Sequence, residues 1–240
     1  MRSSQTVKRS MLDYSQFEYL SFDCYGTLID WEDGILGYIR PLLHRKGCKA
    51  SDADVLNFYS ESEPRQQLPP YRTYREVLAS VMRDLAQRFR FEVSDSEAAG
   101  LADSIRNWKP FADTVPALRR LKSRYKLAIL SNIDDDLFAL TAPRLEVGLD
   151  FLVTAQQAQS YKPSFHNFEI LLERLHLDKS RLLHVAESLY HDVAPARALG
   201  IATVWVNRRQ GRAAAATKLT GARPDAEVPT VAALADLALP

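Results

Sequence analysis

The chain has 240 residues, with 31 Lys and Arg against 30 Asp and Glu and a formal net charge of +1. That balance leaves no electrostatic footprint for nucleic acid or an anionic membrane as partner, and no apolar run approaches the ~20 residues of a membrane span. Hydrophobic content of 46% beside 25% charged residues is ordinary for a soluble globular protein. The cysteines, Cys24 and Cys48, are too few and too far apart for a disulfide framework or a metal knuckle. No His pair has zincin spacing, and no glycine fingerprint of a phosphate loop or dinucleotide site is present.

Residues 1–10 are polar, with Arg2, Lys8 and Arg9, and no apolar signal-peptide core follows. Residues 1–12 are therefore expected to form a flexible tail on a cytoplasmic protein. Residues 19–22 then read as a short apolar strand that ends on Asp23 and breaks into the turn Cys24-Tyr25-Gly26-Thr27. Cys24 is expected in the core as a small hydrophobe. From residue 35 to 109 the rhythm changes. Helical stretches fall at 36–46, 52–62, 74–90 and 94–107, with no strand between them, and Pro69-Pro70 splits the segment. This stretch reads as a helical cap inserted after the first strand, able to close over a strand-end site.

Beyond it, apolar strands are expected at 126–130, 151–153, 182–185 and 202–206, each suited to burial on both faces of a parallel sheet. Amphipathic helices lie between them at 115–125 and 165–175. The alternation predicts an α/β fold: a doubly wound, Rossmann-like parallel sheet from residues 13–34 and 110–240, with the cap at 35–109. Trp205 is expected in the core. The Arg-rich stretch 207–212 is expected to be a solvated loop.

Four places at strand ends carry chemistry. Asp23, on a rigid edge and followed by Gly26 and Thr27, is a candidate nucleophile, although an Asp also serves to hydrogen-bond its own turn. Ser131 and Asn132, after the second strand, suit an anionic oxygen or a helix cap. Lys162, made extended by Pro163, is a cation able to keep a buried carboxylate ionised. Glu187 and Asp192 follow the fourth strand. Three carboxylates together repel unless a proton or cation lies among them, and that cation is either Lys162 or Mg²⁺. Of the histidines, His184 is expected on a strand with local hydrogen bonds, and His166 and His191 at the surface.

The order Asp23 in a D-x-x-G-T turn, Ser131-Asn132, Lys162-Pro163 and an acidic turn ending at Asp192 resembles the haloacid dehalogenase superfamily over residues 19–207. Its phosphatases carry a second Asp two residues after the nucleophile, as general acid for an alcohol leaving group. This chain has Tyr25, whose hydroxyl, with a pKa near ~10, is a poor acid at neutral pH. A departing halide needs no proton. The first motif, with Trp31 soon after it, is similar to that of the 2-haloacid dehalogenase (type II) branch.

That resemblance implies that Asp23 displaces halide to form an ester, which water then hydrolyses to a 2-hydroxy acid. It implies catalytic roles for Asp23, Lys162 and Asp192, with Asp192 activating water. It places Tyr25, Thr27, Ser131, Asn132, Glu187 and Arg40 around a small carboxylate substrate, with no cofactor. It also leaves a homodimer paired through the cap open. Two departures stand. The cap helix reads Leu56-Asn57-Phe58-Tyr59-Ser60-Glu61-Ser62-Glu63 and lacks the halide-cradling Arg of that branch, leaving Arg40, Arg65 and Arg72 as substitutes. The last motif, with Glu187 and Asp192, is closer to a phosphatase turn. It keeps a Mg²⁺-dependent phosphatase, with Asp23 and Asp192 as metal ligands, as the alternative.

Overall fold

The computed structural model describes residues 12–208 and 221–239. Residues 1–11 of the tail expected over 1–12, and residues 209–212 of the Arg-rich stretch, lie outside them; Leu12 is described and packs partly buried against the core. Strand β1 (Tyr19–Phe22) is wholly buried. Four helices follow it: α1 (Trp31–Arg45), α2 (Asp52–Gln66), α3 (Tyr74–Phe89) and α4 (Asp95–Ser104). Ser51, Thr73 and Ser94 open the last three with reciprocal capping boxes, which satisfy backbone N–H groups at each start. Helix α1 begins five residues earlier than its apolar pattern predicts, because the Asp30 side chain accepts from the Asp33 N–H (3.2 Å).

The chain then alternates: α5 (Thr114–Lys122), β2 (Lys126–Ser131), α6 (Asp135–Leu145), β3 (Phe151–Thr154), α7 (Ala155–Ala158), α8 (Phe165–Leu175), β4 (Leu182–Ala186), α9 (Ala194–Ala198), β5 (Ala202–Val206), β6 (Ala226–Val228) and α10 (Val231–Ala238). The six strands are parallel, in the order β3-β2-β1-β4-β5-β6. The doubly wound α/β sheet expected from the alternation is present. Strand β6 was not legible, since its three residues carry Glu227 at the centre and offer no apolar run.

Chain order reverses on either side of β1, so a crevice opens outside the carboxyl ends of β1, β2 and β4. Asp23, Ser131 and Glu187 all leave the sheet there. The four helices after β1 enter and leave through two linkers that run antiparallel. Asp30 N–H donates to Lys109 O (2.9 Å) and Phe111 N–H to Leu28 O (3.0 Å).

Gly34 packs at this neck against the buried Trp108. A Cβ at Gly34 would fall on the indole ring, whereas Gly37, three residues on, has open space around it. Gly34→Ala should therefore destabilise by ~1–3 kcal/mol through overpacking. Gly37→Ala should be neutral or stabilising. Urea denaturation midpoints of the two variants check this, and equal effects would contradict it.

Candidate active site

The crevice holds a small cavity of about 60 Å³. Asp23, Tyr25, Ser131, Asn132, Lys162, Glu187 and Asp192 all line it, so seven of the residues picked from sequence converge. The centre is the Lys162 ammonium, 2% exposed as a residue. It donates to Asp192 Oδ1 (2.6 Å), Leu130 O (2.7 Å) and Asp23 Oδ1 (3.0 Å). Three donors thus meet three acceptors, the condition under which a buried ammonium is tolerated.

Burial works against the Lys162 charge, but the Asp192 and Asp23 carboxylates outweigh it and raise its pKa. Burial also works against ionised Asp192. Lys162 and His184 overcome it and hold that carboxyl down at about 2. Asp23 gets the smaller share. Burial raises its pKa, Lys162 pulls it back, and the nearby Asp192 charge pushes it up again, for a net rise. The lysine therefore favours ionised Asp23 without fully offsetting desolvation.

Thr27 Oγ1 donates to Asp23 Oδ2 (2.8 Å) and accepts from the Glu187 N–H (2.9 Å), joining the first and last motifs. Gly26, at φ +98°, makes the turn between them. Asn132 spends its amide on the Lys162 backbone: Oδ1 accepts from the Lys162 N–H (2.7 Å) and Nδ2 donates to the Lys162 carbonyl (3.1 Å). It therefore positions the lysine loop. Ser131 Oγ is buried in the wall and has no hydrogen-bond partner among the described residues. A buried hydroxyl in that state suits an anionic ligand oxygen. Tyr25 offers its ring to the cavity and turns its hydroxyl onto Thr141 Oγ1 (2.8 Å). Burial raises that phenol well above its usual range, so it is no proton donor for a leaving group. Cys24 is buried as expected, and burial holds its thiol protonated.

Some expectations fail. Arg40 points outward from α1 and pairs with Asp52 (2.6 Å), with half its side chain exposed. Arg72 donates to Gln66 and Ser80. Neither lines the cavity, and no arginine among the described residues does. His184 makes long-range rather than local bonds. The β1–β4 register sets it beside Ser21, with Nδ1 2.8 Å from Ser21 Oγ and Nε2 2.9 Å from Asp192 Oδ1. The carboxylate can only accept, so Nε2 donates to it. His191, expected at the surface, is half-buried in the cavity wall. Arg208 is not solvated: it donates to Asp113 (2.6 Å) and to the Thr27 carbonyl (2.7 Å), bracing the first motif from behind. Trp205 is half-buried rather than core, and its Nε1–H donates to the Glu187 carbonyl (2.7 Å).

The Mg²⁺ reading fits poorly. Asp23 and Asp192, the residues that would hold the ion, each already give Oδ1 to the lysine ammonium, which supplies the positive charge between them. No group of three or more His, Cys, Asp and Glu side chains placed to hold a metal ion occurs among the described residues.

The cap contributes a residue that sequence reasoning missed. Glu63 of α2, 9% exposed, lines the cavity with Tyr74 and Trp31. Its Oε1 accepts from Tyr74 OH (2.6 Å) and, at 3.5 Å, from Tyr59 OH. Burial raises its pKa to about 7, against the hydrogen bonds from Tyr74 and Tyr59. The signal was present in the sequence: Tyr59 and Glu63 lie four apart on the buried face of α2, so this acid follows an apolar stripe. The core holds the cap down from the loop after β2. Buried Asp134 accepts from the N–H groups of Tyr74 (2.9 Å) and Arg75 (3.0 Å), capping α3 across the gap. A larger cleft of about 410 Å³, lined by Leu68, Tyr71, Ser160 and Tyr190, shares Lys162 and His191 with the cavity.

Residues 18–200 match the family model of haloacid dehalogenase-like hydrolases, and the chain belongs to that family. It is a hydrolase of the haloacid dehalogenase superfamily. It is 27% identical over 221 residues to the (S)-2-haloacid dehalogenase of Pseudomonas sp. strain YL, covering 91% of this chain and 93% of that one. It is 26% identical over 228 residues to haloacetate dehalogenase H-2 of Moraxella sp. strain B, covering 92% and 98%. Its fold is similar to the crystal structure of an L-2-haloacid dehalogenase from Xanthobacter autotrophicus with chloropropionic acid covalently bound, with a TM-score of 0.79, 19% identity and 92% and 98% coverage.

The raised pKa of Glu63 makes stability depend on pH. The folded chain keeps this proton up to about 7, whereas an unfolded Glu loses it above 4.5. Between those values the folded state binds more protons, so stability falls as pH rises, by on the order of 3 kcal/mol from this group. Thermal melts of wild type and Glu63→Gln at pH 5 and pH 8 test it. The variant should gain on the wild type as pH rises, and a constant difference would contradict the assignment.

Proposed function

We propose that this protein is a hydrolytic dehalogenase of small 2-haloacids that works through a covalent ester on Asp23. The observation that carries the reading is the setting of that carboxylate. It opens on a cavity, Thr27 and Lys162 fix its two oxygens, and the residue two positions on is a tyrosine that cannot act as an acid. A carboxylate fixed on both oxygens has lost the orientational freedom that otherwise slows in-line attack. The relatives named above as 2-haloacid and haloacetate dehalogenases support the same chemistry.

In the first step an Asp23 oxygen attacks the halogen-bearing carbon, the carbon–halogen bond breaks, and halide leaves with the electron pair. No proton moves. Ser131 Oγ donates to the substrate carboxylate, and Tyr25 and Trp31 supply apolar walls. In the second step water attacks the Asp23 Cγ of the ester, and the bond from Cγ to the substrate oxygen breaks to release a 2-hydroxy acid. Asp192, to which the family resemblance gives the activation of water, acts in this reading instead as the counterion that holds Lys162. Its Oδ1 serves both Lys162 and His184, and a carboxyl held at about 2 is a weak base.

Chloride release from L-2-chloropropionate should persist in excess EDTA. Asp23→Asn should lower it by at least about 10³-fold with the far-ultraviolet circular dichroism unchanged. Ion chromatography reads both. Turnover of a phosphomonoester that requires Mg²⁺, without halide release, would replace this reading with the phosphatase one.

A further inference from the structure

Hydrolysis of the ester poses a proton problem that halide displacement does not. Water must lose a proton as it attacks Cγ, and the departing hydroxy-acid oxygen, a poor leaving group as an alkoxide, must gain one. Glu187, His191 and Asp192 share the cavity with Asp23; Asp192 gives its Oδ1 to Lys162 and His184, which hold its carboxyl at about 2. Tyr25 is turned onto Thr141. Glu63 is placed differently. It descends from the cap into the same cavity as Asp23, with Oε1 held by Tyr74 and Tyr59, and Oε2 makes no hydrogen bond among the described residues.

On the dehalogenase reading above, we propose that Glu63 is the proton carrier of the second step. The Glu63 carboxylate takes a proton from water as the water oxygen bonds to Asp23 Cγ. It returns that proton to the hydroxy-acid oxygen as the Cγ–O bond breaks and the electron pair leaves with that oxygen. The second water proton goes to solvent as Asp23 returns to a carboxylate. One residue serves as base and then as acid, which calls for proton affinity near the working pH. Burial places Glu63 there, at about 7.

The two halves of the reaction are also linked through charge. Ionised Asp23 is one of the influences that raise Glu63. Esterification removes that charge, so Glu63 gives up its proton more readily once the ester exists. The base forms when water is to be activated. The groups that face Glu63 are Tyr59 from α2, Tyr74 from α3, Tyr161 from the loop after α7, and Asp23 from the end of β1. Lys162, Glu187, His191 and Asp192 stand in the same cavity wall. Of these, the Tyr74 hydrogen bond is the strongest opposing influence, holding the Glu63 pKa below what burial alone would give.

The test mixes wild type and Glu63→Gln with L-2-chloropropionate and follows chloride by rapid quench and protein mass by intact mass spectrometry. Glu63→Gln should release about one chloride per site in a burst, accumulate the covalent ester on Asp23, and turn over about 10²–10⁴-fold more slowly than wild type. Steady turnover by Glu63→Gln without accumulated ester overturns the assignment and leaves the dehalogenase reading standing. Absence of chloride release from wild type overturns both. Should Glu63→Gln fail to fold, Tyr74→Phe decides. Loss of its hydrogen bond should move the acidic limb of the kcat–pH profile upward. A purely structural tyrosine would lower kcat with the limb unmoved, and that result overturns the assignment.

Discussion

One buried ammonium organises the carboxyl end of this sheet. Lys162 joins Asp23 at the end of β1, Leu130 near the end of β2, and Asp192 past β4 in one hydrogen-bonded set. Its three N–H bonds are all used, so a charge that would otherwise be costly to bury is matched atom for atom. Asn132 fixes the lysine backbone from the neighbouring strand end, and Thr27 ties the Asp23 carboxylate to the acidic turn. The motifs, scattered over about 170 residues of chain, are one constraint in space. The two carboxylates do not share the lysine equally. His184 adds a second donor to Asp192, so Asp192 is the firmly ionised member and Asp23 the one with residual basicity. That asymmetry suits the nucleophilic role proposed for Asp23. A carboxylate stabilised as fully as Asp192 would attack poorly.

The cap completes a polar site that the core alone leaves open. Asp134 bonds two backbone N–H groups at the start of α3, and Tyr161 OH donates to the Arg72 carbonyl (2.8 Å). These bonds run from core loops to the cap, and the loops are those that follow β2 and precede α8. The segments that carry Ser131, Asn132 and Lys162 thus also hold the cap. Closure brings in apolar and aromatic surface, Trp31 against Tyr59 at 5.4 Å between ring centres, around the Glu63 carboxyl. In so enclosed a space charges interact strongly, and small changes of charge on one group move the proton affinity of its neighbours.

The sheet and cap were legible because their signals are local. Strands β1 to β5 and helix α8 fall within a residue of the apolar runs that predict them, and three cap helices start at Ser or Thr with a carboxylate three residues on. Strand β6 was not, since its pairing with β5 comes from the tertiary fold. The site was legible where a residue type at a strand end has few other uses, as with Asp23, Lys162 and Asp192. It failed for residues whose role depends on distant partners. Arg40 is drawn to Asp52 on its own surface, and His184 reaches Ser21 through strand register. Arg208 belongs to a run that reads as solvated, yet it stacks on Phe111, with 4.0 Å between its guanidinium carbon and the ring centre, and meets Asp113. Glu63 was not legible by residue type, since an acid on a helix usually belongs to the solvated face and only its place four residues after Tyr59 marks the buried one.

The exchange of an acid for Tyr25 in the first motif has a wider meaning. A carboxylic acid beside the nucleophile protonates a leaving alcohol in the first step, and it stays on hand for hydrolysis in the second. With a tyrosine there, turned onto Thr141 and kept protonated by burial, the position two residues after Asp23 offers no such group. On the dehalogenase proposal, halide displacement is unaffected by that exchange, but the ester step still requires proton transfer. The demand then shifts to the opposite wall of the cavity, which is built by the cap. A carboxyl there has to be near neutrality to work in both directions. Burial raises it, and two tyrosine hydroxyls restrain the rise. On the proposed mechanism, aromatic substitution in the core motif and an acid in the cap are complementary features, and the cap would take part in the chemistry as well as in excluding water.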